Sequence, residues 1–125
     1  MADDDEDDRM LAQEAFSVSG APGILRCVGD GIELMDCLFS SRSLPAVILL
    51  DLNMPRKDGR ETLKEIKSIP HLRSIPVVVL TTSREEKDKD SSRGLGADSF
   101  ITKPATFGEW TRIMKSLGSW VVGNG

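Results

Sequence analysis

Two short runs, Val47 to Leu50 and Val77 to Leu80, are continuous, apolar and rich in β-branched residues. That pattern predicts strands buried on both faces of a parallel sheet, because an alternating strand would expose every second side chain. Ile24 to Val28 and Ser99 to Thr102 are weaker strands, each closed by a turn signal: Gly29-Asp30-Gly31 after the first, Pro104 after the second. Helical periodicity lies between them. Asp7 to Val18 carries Leu11, Ala15 and Val18 at spacings of four and three, and Ile32 to Phe39 carries Ile32, Met35, Leu38 and Phe39. The last segment repeats the pattern at Phe107, Trp110, Ile113, Met114, Leu117 and Val121, with Thr106 placed as its N-cap. Trp110 and Trp120 fall among these apolar positions and read as core packing or a dimer face. Alternating strands and helices predict right-handed βαβ units and a mostly parallel sheet. The ligand site of such a sheet lies at the carboxyl ends of its strands.

At 125 residues and 39% hydrophobic, the chain has the size of a single domain covering residues 1–125. No apolar run approaches the length of about eighteen residues that a membrane span needs, and no signal peptide opens the chain, so a cytoplasmic protein with no membrane partner is expected. Cys27 and Cys37 form no CxxC pair and share the chain with a single His. Neither a zinc site nor a disulfide framework is indicated, and both thiols are expected to be buried and inert. The net charge of -4 is uneven: six of the 20 acidic residues form the run Asp3 to Asp8, leaving 14 acids against 16 bases elsewhere. A solvated acidic tail is the ordinary reading of such a run, and a cation site the sharper one. There is no Lys/Arg stripe with interleaved aromatics, so no nucleic-acid partner is expected.

Asp51, Thr81 and Lys103 each stand at the carboxyl end of an apolar run. A doubly wound sheet brings such positions to one crevice, where the acidic run also arrives if it follows a strand. A carboxylate nucleophile, a hydroxyl, an ammonium group and a divalent cation then share a site, the set that phosphoryl transfer requires. Oxygen-only ligands suit Mg²⁺. Gly29, Gly31 and Gly96 read as turn residues, since neither GxxxxGK[ST] nor GxGxxG is present. His71, in a proline-flanked loop, reads as a surface residue.

Several stretches together resemble one family. They are Ala2-Asp3-Asp4, Leu49 through Gly59, Val78 through Ser83, Gly96-Ala97-Asp98 and Phe100 through Pro104, and they are similar to the CheY-like receiver domains of two-component response regulators over nearly the whole chain. The resemblance implies a flavodoxin-like, doubly wound α/β fold with strand order 2-1-3-4-5. It implies Asp51 as phosphoacceptor, with Asp4 and the backbone carbonyl of Asn53 as further metal ligands and Asp3 holding a metal-bound water. It further implies Thr81 turning its hydroxyl to the phosphoryl group, Lys103 pairing with that group, Phe100 as the aromatic switch that follows Thr81, and a cis Lys103-Pro104 bond. The implied activity is signalling, with slow self-dephosphorylation and no enzymatic turnover, and the implied partner is a histidine kinase. Asp51 through Arg60 and Pro70 through Pro76 look like the single-domain regulators that serve bacterial phytochrome kinases.

The chain departs from that family in three places. Only Met1 and Ala2 precede the acidic pair, where receivers carry four to six apolar residues of a central first strand, so that strand is largely missing. The expected consequence is a second strand that closes directly onto Val47 to Leu50 or is exchanged with another molecule, Asp3 and Asp4 far from Asp51, and an oligomer in preference to a monomer. A degenerate receiver working as a phosphorylation-independent interaction module is the rival reading that follows. Ser83 to Gly94 holds no apolar residue, which predicts a weakly docked, mobile helix. Thr82 replaces the Ala or Gly of many receivers.

Overall fold

The computed structural model describes residues 1–40, 43–52, 54, 58–81, 94 and 96–123, with the side chains of residues 81 and 119–123 outside it. In chain order the elements are α1 (Glu6–Ser19), α2 (Gly31–Ser40), β1 (Ile48–Asp51), α3 (Gly59–Ser68), β2 (Val77–Thr81), β3 (Ser99–Thr102) and α4 (Phe107–Gly123). Ser83 to Arg93 and Thr82 lie outside the described residues, and with them the expectation for that helix. Gly94 is exposed.

The strands form one parallel sheet in the order β1-β2-β3, with Leu50 opposite Val79 and Leu80 opposite Ile101. Successive residues serve two cores, because side chains of a strand alternate between faces. Ile48, Leu50, Leu52, Val77 and Val79 pack with Leu34, Met35 and Leu38 of α2 and Leu63 and Ile66 of α3. Leu49, Val78 and Leu80 pack with Ala12 and Ala15 of α1 and Trp110, Met114 and Leu117 of α4. Each fully buried Leu or Val stabilises the fold by about 1.5–3 kcal/mol relative to an exposed one, and both faces of β1 and β2 contribute, with Phe100 and Ile101 of β3 partly buried against the two cores.

The slot beside β1 is not empty. Ala2 forms parallel bridges to both Val28 and Leu50, using hydrogen bonds from Ala2 N to Leu49 O (2.9 Å), Asp51 N to Ala2 O (3.0 Å), Val28 N to Met1 O (2.9 Å) and Asp3 N to Val28 O (3.1 Å). Three residues thus do the pairing of a whole strand, and the lateral sequence is Val28, Ala2, β1, β2, β3, the order 2-1-3-4-5. Ile24 to Val28 does not close onto β1, and Asp3 is not carried away from Asp51; the expectation of a collapsed or exchanged sheet is corrected on both counts. Its physical premise, an open edge on β1, is absent because Leu49 O and Asp51 N have partners within the chain. Ile24 to Val28 has its bridge at Val28, with Arg26 O accepting from the Met1 ammonium at 2.6 Å, and Ile24 is 94% exposed.

Capping explains where the helices begin. Asp5 Oδ1 accepts from the N–H groups of Asp7 (2.9 Å) and Asp8 (3.3 Å), and Glu6, Asp7 and Asp8 place negative charge on the positive end of α1. Gly20 ends it at φ +75°. The buried face of α1 is Ala12 and Ala15, small residues that admit Trp110, whereas Val18 of the expected stripe is exposed. In α2, Leu34 joins Met35 and Leu38 in the core, and Ile32 and Phe39 are exposed instead of buried. For α4, Thr106 Oγ1 accepts from Glu109 N at 3.2 Å, which makes it the N-cap. Helix α3 was not evident from apolar spacing, since Gly59 and Thr62 fill half of its buried face. Trp110 is fully buried, as expected of a core residue; Trp120 lies outside the described side chains. Cys27 and Cys37 are half-buried free thiols, not fully buried ones, each within reach of a polar side chain, Gln13 and Arg26 respectively.

The Gly96-Ala97-Asp98 stretch has a structural use. Asp98 Oδ2 accepts from Val77 N (2.8 Å) and from Lys67 Nζ (3.2 Å), and Lys67 also donates to Ile75 O (2.9 Å) and Arg73 O (3.1 Å). These bonds fix the start of β2 against the end of α3. Gly96, at φ +103°, turns the chain tightly over the Lys67 stem.

Candidate functional site

Asp51 is the last residue of β1 and is buried, at the carboxyl end of the sheet. Its position is secured from behind by Gly59: a Cβ there would fall on the carbonyl oxygen of Asp51 and the Cα of Leu52. Only glycine lets the start of α3 approach that closely. Gly59 N donates to Leu52 O at 3.0 Å, and Asp58 caps the helix through Arg60 N at 2.6 Å.

The N-terminal residues deliver the next carboxylates. The bridges at Ala2 place Asp3 beside Asp51, and carboxylate oxygens of Asp3, Asp4 and Asp51 lie within 4.8 Å of one another. Asp3 is fully buried, accepts from Asp5 N at 2.9 Å, and presents its carbonyl to Arg9 at 2.7 Å; Asp4 is exposed. The acidic run is therefore no solvated tail. It supplies two site carboxylates, a helix cap and, at Asp8, an ion pair.

Lys103 follows β3 and points its ammonium group into this cluster. Nζ lies 2.9 Å from Asp3 Oδ2, 2.8 Å from Asp8 Oδ2 and 3.3 Å from Asp51 Oδ2. Burial works against the charged form, but the hydrogen bonds to Asp8 and Asp3 and the charges of Asp51 and Asp3 outweigh it and raise the ammonium above the ordinary lysine range. It is a fixed positive charge at any neutral pH. The Lys103-Pro104 bond is not cis, as no cis peptide occurs among the described residues. A trans bond already brings Nζ to the carboxylates, and trans is the intrinsic preference of an X-Pro bond by about 0.5–1 kcal/mol.

Of the other expected site residues, Thr81 closes β2 in register with Thr102, and its side chain is outside the described residues, as is Asn53 altogether. Phe100 on β3, opposite Val79, is half-buried against the core shared with α3. His71 is exposed. Asp8 was missed by sequence reasoning. With Asp5 recognised as the N-cap, Asp8 falls three positions on, over the same side of the first turn, which is the signal that could have found it.

The donor set fits a hard divalent cation. Asp3 Oδ2 is buried and has no hydrogen-bond partner, its 2.9 Å contact with Lys103 being an ion pair without hydrogen-bond direction. A buried carboxylate oxygen with lone-pair capacity to spare, beside two more carboxylates, is the chemistry that an oxygen-coordinated cation satisfies.

A parallel α/β sheet with a buried strand-end carboxylate, an acidic pair and a lysine converging at its carboxyl edge defines a signalling domain of the receiver type. The chain belongs to the response regulator receiver domain family, whose model matches residues 1–115. It is 37% identical to the response regulator Rcp1 of Synechocystis sp. over 96% of this chain and 85% of that protein. It is 35% identical to the probable methanogenesis regulatory protein FilR2 of Methanothrix harundinacea, over 98% of this chain and 82% of the relative. Among solved structures, the phosphorylated cyanobacterial phytochrome response regulator RcpA is similar at a TM-score of 0.86 and 41% identity, covering 99% of this chain and 92% of that one. The Mn²⁺-bound form of Rcp1 is similar at a TM-score of 0.83 and 36% identity, covering 99% and 93%. These likenesses bear out the flavodoxin-like fold and the resemblance to regulators of phytochrome systems. No helix among the described residues is long and apolar enough to cross a membrane.

Proposed function

We propose that residues 1–125 act as one phosphoacceptor receiver domain, in which Asp51 takes a phosphoryl group from the phosphohistidine of a histidine kinase. The observation that carries this reading is the meeting of Asp3, Asp4, Asp51 and Lys103 in one crevice. An Asp51 carboxylate oxygen attacks the phosphorus, a new O–P bond forms, and the N–P bond breaks with its electron pair returning to the imidazole. Asp3, Asp4, Asp51 and the backbone carbonyl of Asn53 would hold Mg²⁺, which supplies charge neutralisation for the phosphoryl oxygens. Lys103 brings a positive charge to the same oxygens, the Thr81 hydroxyl turns toward them, and Phe100 follows Thr81 inward as the switch. Burial of Asp51 keeps bulk water from the acyl phosphate, so self-dephosphorylation is slow. The kinase serves a phytochrome, a partner supported by the likeness to Rcp1 and RcpA, and the site of action is the cytoplasm.

The test is intact-mass measurement after incubation with acetyl phosphate and Mg²⁺. A single labile phosphoryl adduct, absent without Mg²⁺ and absent in Asp51→Asn, is the expected result. An adduct that persists in Asp51→Asn, or none in the unmodified chain, would overturn the proposal.

A further inference from the structure

Lys103 is shared among three carboxylates, and the third has no part in the roles assigned above. Asp8 Oδ2 lies 2.8 Å from Nζ, closer than Asp51 Oδ2 at 3.3 Å. An ammonium has three N–H donors, so Asp3, Asp8 and Asp51 together match its capacity before any phosphoryl group arrives. The three anions differ in how readily they can let go. The side chains of Asp3 and Asp51 are 0% and 6% exposed, and Asp3 is also tied to Asp5 N; the Asp8 side chain is 21% exposed, on the first turn of α1. A carboxylate that exchanges a cation for water loses least when water already reaches it. Asp8 is the partner that Lys103 can give up.

Resting on the reading of Asp51 as phosphoacceptor, we infer that Asp8 is a positioning residue that holds Lys103 back in the unphosphorylated chain and competes with the phosphoryl group for its ammonium. When acetyl phosphate is the donor, an Asp51 oxygen bonds to phosphorus and the bridging O–P bond breaks, with acetate leaving on the electron pair. The negative charge at residue 51 rises, and Lys103 must move toward it. On this inference, that movement draws Nζ away from its 2.8 Å contact with Asp8. The Asp8 carboxylate therefore opposes the product state through Lys103, and Asp8→Asn, which keeps the shape and removes the charge, relieves the opposition.

The experiment compares adduct formation from acetyl phosphate and Mg²⁺ in the unmodified chain, Asp8→Asn, Asp8→Glu, Lys103→Met and the Asp8→Asn/Lys103→Met double variant. Asp8→Asn should react roughly two- to fivefold faster, the scale of one partly exposed ion pair. Asp8→Glu should return toward the unmodified rate, and Asp8→Asn should give no gain when Lys103 is already Met. An equal gain in the Lys103→Met background would assign the effect to plain charge repulsion and overturn the inference, as would an Asp8→Asn rate at or below that of the unmodified chain. Hydrogen exchange of the Lys103 ammonium, followed by NMR at low temperature without phosphodonor, separates this claim from the phosphoacceptor reading. Faster exchange in Asp8→Asn supports the restraint even if no variant accepts phosphate, and unchanged exchange removes it even if all of them do.

Discussion

On one side of Leu50 the sheet consists of full strands, β1-β2-β3, paired residue by residue and apolar on both faces. On the other side it consists of two single-residue bridges at Ala2. The strong half carries Asp51 and Lys103; the slight half carries Asp3 and Asp4. The proposed phosphoacceptor and the proposed cation ligands thus rest on parts of very different depth, and the crevice is only as well formed as the hydrogen bonds that Met1, Ala2 and Asp3 make to neighbouring backbone. Asp3 itself is buried and hydrogen-bonded, so a short attachment still yields a fixed carboxylate. Pairing on both sides compensates for length.

That contrast can be broken from either side. The largest effect is expected in the strong half, where Leu50→Ala opens a cavity between β1 and α2 and should cost about 2–5 kcal/mol in urea denaturation. Next comes Gly59→Ala, whose Cβ meets backbone at Asp51 and Leu52 and cannot be accommodated by side-chain motion; it should cost about 1–3 kcal/mol and displace Asp51, seen as a slower phosphorylation rate. In the slight half, Ala2→Pro removes the N–H that serves Leu49 O and should cost about 1–3 kcal/mol. Its distinctive sign is in the cation response: Mg²⁺ should raise the melting temperature of the unmodified chain by mass action and leave Ala2→Pro unchanged, with β1-β2-β3 amides still protected in hydrogen exchange. Asp5→Ala, which removes the α1 cap just after the acidic pair, should have the smallest effect, about 1 kcal/mol. If Ala2→Pro and the unmodified chain respond equally to Mg²⁺, the two halves are not as separable as their pairing implies.

Much of the strong half was legible in the sequence because a strand buried on both faces leaves an uninterrupted apolar run, as at Val47 to Leu50 and Val77 to Leu80. The slight half was illegible for a physical reason: strand patterns are read over several residues, and here Met1 to Asp3 perform a strand's pairing with two bridges. Counting residues before Asp3 therefore predicted an empty slot where backbone hydrogen bonding fills one. Helix α3 escaped because Gly59 and Thr62 stand on its buried face, and the stripes of α1 and α2 held at Ala15, Met35 and Leu38 but missed Ala12 and Leu34 and included Val18, Ile32 and Phe39, which lie exposed near the helix ends. At the site, Asp51, Lys103 and the acidic pair came from family motifs and strand ends together. Asp8 did not, since within six consecutive acids only the capping geometry of Asp5 tells which carboxylate turns inward.

The most direct test of the central claim is chemical trapping of the phosphorylated chain. Borohydride reduces an aspartyl phosphate to homoserine, which peptide mapping locates to a single position. After incubation with acetyl phosphate and Mg²⁺, homoserine should be found at position 51 alone, and its yield should collapse when Mg²⁺ is withheld or when Asp3 and Asp4 are both changed to Asn. Homoserine at any other carboxylate, or a yield at position 51 that is indifferent to Mg²⁺ and to Asp3 and Asp4, would contradict the account.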